Sequence, residues 1–512
     1  MSASSTALNR FGLGGRPGDS VPTDAKAWLL GQFAAYQPRP AALAGAPTSA
    51  AVSAELADYF EQQRTLRQQA QTGGPTQPEA APPMTPPSPA AGAQMTGAAP
   101  QPLPPGMAPA DPAKTPRTDA QKAARQFAQR EGRQDYAGAV AARAIAALTT
   151  DTPFVERLVY FWANHFAVSA DKLAVIGLSG TLEFEAIRPH VLGNFRDMLT
   201  AVERHPAMLI YLDQAVSVGP DSPLGQRIAF RGKRKVGLNE NLAREILELH
   251  TLGVRSGYTQ TDVTEFARAM TGWTVAGIGQ GPGARVLGNF GTPGQFVFAE
   301  ALHQPGERHV MGKRYAKSGV NQAQEVLDDV AVAPATANHI ATKLARHFAG
   351  DTPPPAMVAR LQAAFLSSGG DLPTVYRAIV NSPEAWVEAS PKFKTPWEWT
   401  VSSYRALGAT TVQPGVIVGL MNQLGQPVWK PGQPVGYDDI AASWAGPDAV
   451  MRRVEAAERF AAKAPAAIDA RALAATLFPA AVSPATTQAL ARAESPAQAL
   501  ALLLVAPEMM RR

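Results

Sequence analysis

The chain of 512 residues contains no cysteine. This absence excludes disulfides, thiolate zinc sites, iron–sulfur clusters and a cysteine nucleophile. Any metal held by side chains would need the eight histidines or the oxygen atoms of Asp, Glu and Asn. Glycine-rich phosphate loops, a dinucleotide fingerprint after a strand and a Gly-x-Ser-x-Gly elbow are also missing. The sequence therefore leaves metal and cofactors unknown and points to no nucleotide or redox cofactor.

Long apolar runs are absent as well. No stretch of about 18 apolar residues predicts a membrane-spanning helix, and the N-terminus lacks the basic and apolar regions of a secretory signal. A net charge of +5 is a small excess for this length and does not predict nucleic-acid binding. We therefore expect a soluble globular protein, by default cytoplasmic, and the sequence predicts no oligomeric state.

Large apolar residues are scarce between Thr72 and Pro116, where Pro, Ala, Gly, Gln and Thr dominate. Such a segment cannot bury enough surface to offset the entropy of ordering it. We predict a disordered Pro-rich insertion over 72–117, which is either a passive surface loop or a ligand for a proline-recognition module. Residues 1–71 then form the N-terminal helical part of the main domain, and residues 118–512 form the rest of it.

Apolar residues recur at helical spacing through most of the remaining chain. Helices are predicted over 24–36, 50–71, 118–149 and 153–166, and again over most of 321–512. Gln295–Phe298 and His309–Met311 are predicted strands. The fold class is therefore mainly α, a compact multi-helix body with a small β-hairpin excursion near 290–315.

The segment from Asn239 to Gly253 has the densest polar chemistry of the chain. At 100° per residue, five side chains share a helix face about 120° wide: Asn241, Arg244, Glu245, Glu248 and Thr251. Carboxylates one turn apart can share a proton, bind a cation or act as acid and base. The alternative is a solvated face with an Arg244–Glu248 ion pair worth about 0.3–0.5 kcal/mol.

His250 falls on the apolar side of this helix, so we expect a hydrogen-bonded core histidine there. Asn239 is predicted as the N-cap and Gly253 as the glycine after the C-terminus. A second helix follows, with Thr259 and Asp262 in a capping box. Its predicted apolar stripe, which we expect to be core, is Val263, Phe266, Met270 and Trp273, and Glu265 and Arg268 are expected to lie together on its polar side.

Further polar residues are candidates for the same site. His165 and Asn164 end an aromatic helix, His205 precedes a proline, and His303 lies in a turn. We predict that His165 and His205 converge with Glu245 and Glu248 in a metal or acid/base site, although a core or capping role is open for each histidine. The basic residues 231–235 are either a phosphate or carboxylate site or a solvated loop.

Several motifs together resemble the bacterial domain-of-unknown-function 1800 family. They are Leu8–Gly12, Phe161–Phe166, His205–Asp213, Asn239–Gly253 with Tyr258–Thr259, Ala267–Trp273, His303–Gly312, Lys430–Trp444 and Ala506–Arg512. In the His303 motif, Gln304 replaces the aspartate usual in the family, which weakens any site built on an acid there. The resemblance spans nearly the whole chain outside the insertion.

The resemblance implies no established activity. Family members are often encoded beside a secreted partner family with a twin-arginine signal, so the resemblance implies export together with a partner as an alternative to the cytoplasm. Two functional hypotheses follow. The first is a hydrolytic or metal-assisted enzyme with Asn241, Arg244, Glu245, Glu248, His165 and His205 at its site. The second is a non-catalytic binding or assembly protein that acts with an exported partner.

Overall fold

The computed structural model describes residues 2–72, 118–230, 237–279, 291–388, 392–465 and 467–512. Within these ranges the protein is mainly α-helical, as predicted. The α-helices are α1 (Ala3–Thr6), α2 (Ala25–Ala35), α3 (Ser49–Thr72), α4 (Asp119–Thr149), α5 (Pro153–His165), α6 (Leu173–Ile176), α7 (Ser179–Leu182), α8 (Phe195–Glu203), α9 (Pro206–Tyr211), α10 (Pro223–Phe230), α11 (Asn241–Glu245), α12 (Gln260–Met270), α13 (Val320–Ala331), α14 (Pro334–Ala349), α15 (Pro355–Ser368), α16 (Leu372–Asn381), α17 (Pro396–Ala406), α18 (Pro414–Gln423), α19 (Pro447–Lys463), α20 (Ala470–Leu477), α21 (Pro484–Ala491), α22 (Pro496–Leu504) and α23 (Pro507–Met510).

Three of these helices continue directly into π-helical turns. In such a turn, each backbone hydrogen bond joins residues five apart instead of four apart. The π turns are Ala7–Phe11 after α1, Glu183–Ile187 after α7 and Ile246–His250 after α11. Short 3₁₀ turns occur at Ala41–Leu43, Arg188–His190, Gln214–Val216, Glu300–Leu302, Pro383–Trp386 and Ala441–Ser443. The polar helix of residues 241–250 is therefore half α and half π.

Local sequence explains many helix starts. A proline occupies the first turn of several helices, where its missing N–H removes no intrahelical bond; Pro153 and Pro396 are examples. Thr395 and Glu398 form a capping box at the start of α17. The predicted capping box of Thr259 and Asp262 at the start of α12 is also present.

The β structure consists of two small antiparallel hairpins. Strand β1 (Trp273–Val275) pairs with β2 (Phe296–Phe298), and Trp273 lies opposite Phe298. Strand β3 (Arg308–Val310) pairs with β4 (Lys313–Tyr315). The predicted excursion near 290–315 is confirmed, but the placement of Trp273 on the helical stripe of α12 is wrong. Gly272, with φ of +94°, follows the helix and turns the chain into the strand.

The hydrophobic core is built around α5. Phe154, Leu158 and Trp162 are completely buried there and belong to one large cluster that draws on residues from 7 to 385. A second cluster packs residues 393–510 among themselves, and a third joins α4 to α17 and to the segment around Trp429. The division of the chain at residues 71 and 118 stays a prediction.

Two predicted features fall on residues outside the described ranges: most of the Pro-rich insertion and the basic residues 231–235. Within the described ranges, no helix combines the length and the apolar character that a membrane crossing needs.

Candidate functional site

The polar face of residues 241–248 lies partly against α12. Glu240 accepts hydrogen bonds from Gln260 Nε2 at 2.8 Å and from Thr264 Oγ1 at 2.7 Å. Arg244 donates to Gln260 Oε1 at 2.8 Å and lies 3.5 Å from Glu248, so the anticipated ion pair is present. Glu240 and Arg244 therefore join this helix to α12.

Glu245 and Asn241 have different surroundings on that face. The Glu245 carboxyl is half-buried, and its burial raises its pKa; His250 opposes that effect and Glu248 adds to it. Asn241 is exposed, and its backbone N–H donates to Asn239 Oδ1 at 2.9 Å. The helix begins one residue later than predicted, and Glu240 is its N-cap. The Asn239 side chain still accepts a backbone N–H of the first helical turn.

His250 is completely buried and hydrogen-bonded, which confirms its prediction as a core histidine. Its Nδ1 lies 2.7 Å from Oε1 of Glu203, which is equally buried on α8. A carboxylate only accepts, so Nδ1 carries the proton. This bond fixes the π turn to α8.

His165 lies beside His250 and reaches across to α14. Its Nε2 is 3.0 Å from the His250 carbonyl oxygen, and its Nδ1 is 3.0 Å from Lys343 Nζ. Since the carbonyl only accepts, Nε2 carries the proton and Nδ1 accepts from the lysine. Burial holds the pKa of His165 well below its usual range, and the Lys343 charge lowers it further. His165 is thus neutral and positions Lys343.

His205 belongs to a different contact. Its Nδ1 accepts the Ala207 backbone N–H at 3.2 Å and caps α9, and its Nε2 lies 3.7 Å from Glu185 Oε2. In the described part of the chain, no hydrogen bond or ion pair joins His205 to His165 or to the 241–248 face. The structure brings His165 to the end of the polar helix and does not bring His205 into contact with either.

His303 and Gln304 tie the hairpin region to its neighbours. His303 Nδ1 bonds the Thr271 carbonyl oxygen at 2.8 Å, and burial lowers its pKa. The Gln304 amide accepts from the Asp221 backbone N–H at 2.9 Å and donates to the Asp221 carboxylate at 2.7 Å. An amide can make both bonds, whereas an ionised carboxylate can only accept, so glutamine suits this position.

A cavity of about 210 Å³ opens between α5, α14, the start of α17 and residues 426–439. His165 and Lys343 lie in its wall. Asn164 holds the Tyr437 segment of the wall in place, because its side chain exchanges two 2.8 Å hydrogen bonds with the Tyr437 backbone. Gly436 is required beside it, since an added Cβ would lie 2.3 Å from the Asn164 carbonyl oxygen.

One side of the cavity is a buried ion network. Glu398 pairs with Arg157 and with Arg512, whose Nε lies 2.7 Å away. Asp439 pairs with His347 Nδ1 at 2.8 Å and Lys392 Nζ at 2.9 Å. Burial raises the pKa of Glu398, but Arg512 and Arg157 outweigh burial and keep that pKa below its usual range. These carboxylates are therefore charged and satisfied.

The other side is aromatic. The Arg143 guanidinium lies 4.2 Å from the ring centre of Tyr160 and 4.3 Å from that of Trp397. Its charge is balanced by Glu183 at 2.8 Å, and Glu183 also accepts from Trp429 Nε1 at 3.0 Å. This wall offers flat apolar surface with its own charges already paired.

Two cations in the cavity wall lack such balance. Lys343 donates to His165, and Arg346 Nε donates to the Asp351 carbonyl oxygen at 3.4 Å. Among the described residues, neither has a carboxylate oxygen within 4.0 Å. Burial lowers the pKa of the Lys343 amine to about 8, against the opposing effect of Asp439 and with a further contribution from Arg346. Lys343 and Arg346 thus have no direct carboxylate partner among the described residues, although Asp438 and Asp439 line the same cavity.

The described residues contain no cluster of three His, Asp or Glu side chains that could hold a metal ion. The metal-assisted hypothesis therefore remains without a ligand set, and the metal and cofactors stay unknown.

Sequence reasoning missed the α14 residues of this cavity. Lys343, Arg346 and His347 line the cavity and are spaced by three residues and one residue, which places them on one helix face. Helices are predicted over most of 321–512, and a helical wheel of this segment reveals the basic face. Glu398 and Asp439 had no comparable signal, since their cationic partners are distant in the sequence.

The fold and the site define a mainly α-helical protein with a cation-rich internal cavity. A family model described as a protein of unknown function, DUF1800, matches residues 6–511. The chain therefore belongs to the DUF1800 family, as its motifs indicate. No curated protein and no solved structure gave a match.

Proposed function

We propose that the protein binds a small organic anion in the cavity between α5, α14 and residues 426–439. The observation that carries this proposal is the pair of cations, Lys343 and Arg346, in the cavity wall without carboxylate partners. Charge-assisted bonds from an ammonium and a guanidinium suit a carboxylate or phosphate group. The aromatic wall of Tyr160 and Trp397 suits the apolar part of such a ligand.

Calorimetric titration with benzoate tests this proposal, with the neutral isostere benzamide as the matched probe. We expect saturable benzoate binding and at least about tenfold weaker benzamide binding, because the amide lacks the charge that the cations attract. Arg346→Gln should weaken benzoate binding about tenfold. Arg360→Gln is the control, since Arg360 lies on the next helix and pairs with Glu384. Equal affinity for both probes would contradict the proposal.

A second candidate is the hydrolytic site on the 241–248 face. The raised pKa of the half-buried Glu245 favours it, because an acid/base carboxyl needs a pKa nearer neutrality. Glu245→Gln and Glu248→Gln should then abolish hydrolysis of a substrate such as p-nitrophenyl acetate or p-nitrophenyl phosphate, while unfolding by urea stays nearly unchanged. If both substitutions unfold the protein, the two carboxylates are structural.

The remaining hypothesis is a binding or assembly protein that works with an exported partner. Its support is the resemblance of the motifs, and its test is a pull-down from cell extract with the full chain as bait, followed by fractionation. Recovery of one exported protein in stoichiometric amount supports it. The hypothesis is contradicted if the chain is recovered only from the cytosolic fraction and does not bind the exported partner.

A further inference from the structure

We propose that Lys343 forms an imine with a carbonyl compound that carries an acidic group, bound in the cavity. This inference rests on the proposed function, because the same cavity and Arg346 would hold the acidic group. It adds a covalent step and a substrate class, the carbonyl acids.

The first argument is the partner of the amine. Lys343 Nζ donates to Nδ1 of His165, a neutral acceptor whose other nitrogen is held by the His250 carbonyl oxygen. A neutral acceptor can receive a hydrogen bond from either the ammonium or the free amine. It therefore leaves the amine free to lose its proton and use its lone pair, which is what an imine-forming lysine requires.

Lys392 shows the contrast. Its ammonium lies near the same network but pairs with Asp351 at 3.0 Å and Asp439 at 2.9 Å. Its N–H groups are thus already bound by two carboxylates. Lys343 has no carboxylate at such a distance among the described residues, and burial disfavours its charged form.

The second argument is placement. Lys343 and Arg346 are one helical turn apart on α14, and both reach the cavity. An anionic group on Arg346 would hold a neighbouring carbonyl carbon near Lys343 Nζ. The His165 ring cannot turn away easily, because it packs against Phe161, Trp162 and Phe166. The amine is thus held where the ligand would bind.

The step balances without any other reagent. The amine lone pair attacks the carbonyl carbon, and a proton moves from nitrogen to the former carbonyl oxygen to give a carbinolamine. Loss of the hydroxyl and of the remaining nitrogen proton as water leaves a carbon–nitrogen double bond. The amine and the carbonyl compound thus yield the imine and one water.

Reductive trapping of the full chain with glyoxylate and cyanoborohydride tests this step, since hydride adds to the imine and leaves a carboxymethyl group on the reacting nitrogen. Peptide mass mapping then gives a labelling rate for each lysine. At pH 7, we expect Lys343 to react at least about tenfold faster than the exposed Lys122. A pKa of about 8 leaves a larger unprotonated fraction of the Lys343 amine than the ordinary lysine value would. This advantage should shrink above pH about 8. Equal rates at pH 7 would overturn the inference.

Lys394 is a matched internal control. Burial lowers its pKa to about 7, but it is almost completely buried, donates to Ser402 Oγ and lies outside the cavity wall. It should stay unlabelled; labelling of Lys394 at the rate of Lys343 would show that a lowered pKa alone decides the reaction, which overturns the assignment to the cavity.

Formaldehyde, a carbonyl compound without an acidic group, separates this inference from the proposed function. Arg346→Gln should slow glyoxylate labelling of Lys343 about tenfold. It should slow formaldehyde labelling much less, because there only the small effect of Arg346 on the amine pKa is lost. Arg360→Gln should change neither rate. If both reagents label Lys343 fast and Arg346→Gln changes neither rate, anion binding is overturned and the reactive amine is supported. If benzoate binding is saturable but Lys343 is labelled slowly, imine formation is overturned and anion binding is supported.

Discussion

At the residue scale, each histidine takes its role from its hydrogen-bond partners. His250 donates to a buried carboxylate, His205 caps a helix, and His165 accepts from Lys343. Of the partners of these histidines, only Ala207 is close in sequence to the histidine that it contacts; Glu203 and Lys343 are distant from theirs. The same side chain thus acts as core, cap or positioning group, and spacing alone does not distinguish them.

Lys343→Met should stabilise the protein while it weakens anion binding. Methionine removes a charge that burial disfavours, so the free energy of unfolding should rise by about 1–2 kcal/mol at pH 7. The folded pKa of about 8 lies below the ordinary 10.5, so the wild type gains stability as the pH rises from 8 to 10.5. The advantage of the variant should therefore disappear across that range in urea titrations. An advantage that persists at pH 10.5 would contradict this account.

Gln304→Glu tests the departure from the family motif. The change puts a carboxylate where an amide donates to Asp221 at 2.7 Å, so it replaces a hydrogen bond with repulsion. We expect a loss of about 1–2 kcal/mol in the free energy of unfolding at pH 7, which shrinks in acid as the pair takes up a proton. Asp221→Asn in the same chain should restore most of the loss. A neutral effect at pH 7 would show that this contact is unimportant.

At the element scale, residues close in sequence determine where a helix begins. Thr259 and Asp262 cap α12, and Asp262 also accepts the Met311 backbone N–H at 2.6 Å, which ties the second hairpin to the helix. The cap could be predicted because its two residues are three apart. The bond to Met311 could not, because it joins residues 49 apart.

Thr259→Ala should lower the free energy of unfolding by about 1 kcal/mol, the usual cost of a lost N-cap. Asp262→Ala should cost more, about 2 kcal/mol, because it also leaves the Met311 N–H without its acceptor. Thr65→Ala is the control, since Thr65 is exposed in the middle of α3 and caps nothing. Denaturant unfolding measures all three, and equal losses at residues 259 and 65 would refute the role of the cap.

At the scale of the whole molecule, buried ions join distant parts of the chain. Arg157 on α5 pairs with Glu398 and donates to the Gly12 carbonyl oxygen, and the C-terminal Arg512 pairs with Glu398 as well. Arg10 donates to the Ala385 carbonyl oxygen at 2.8 Å. Gly12 and Arg512 are therefore joined through Arg157 and Glu398, which line the cavity.

Glu398→Gln should destabilise the protein by about 3 kcal/mol at pH 7, because it leaves two buried guanidinium groups without their shared carboxylate. The folded pKa of Glu398 is lowered, so its contribution is complete above the ordinary value of 4.5 and is lost as the pH falls below it. The difference between wild type and variant should narrow in acid. Glu384→Gln, in a partly exposed pair, is the control and should cost less than about 1 kcal/mol.

The sequence by itself determined most of the helices, the capping box of α12, the hairpin region and the core position of His250. These depend on residues within a few positions of one another, so periodicity and turn chemistry were sufficient. Only the tertiary structure placed His165 beside Lys343 and His205 apart from both, and only it formed the cavity. Asn164 and Tyr437, which close the cavity, are 273 residues apart, and the charge left on Lys343 and Arg346 depends on which carboxylates fold next to them. Local patterns carry no information about such distances, because they are set by how the helices pack.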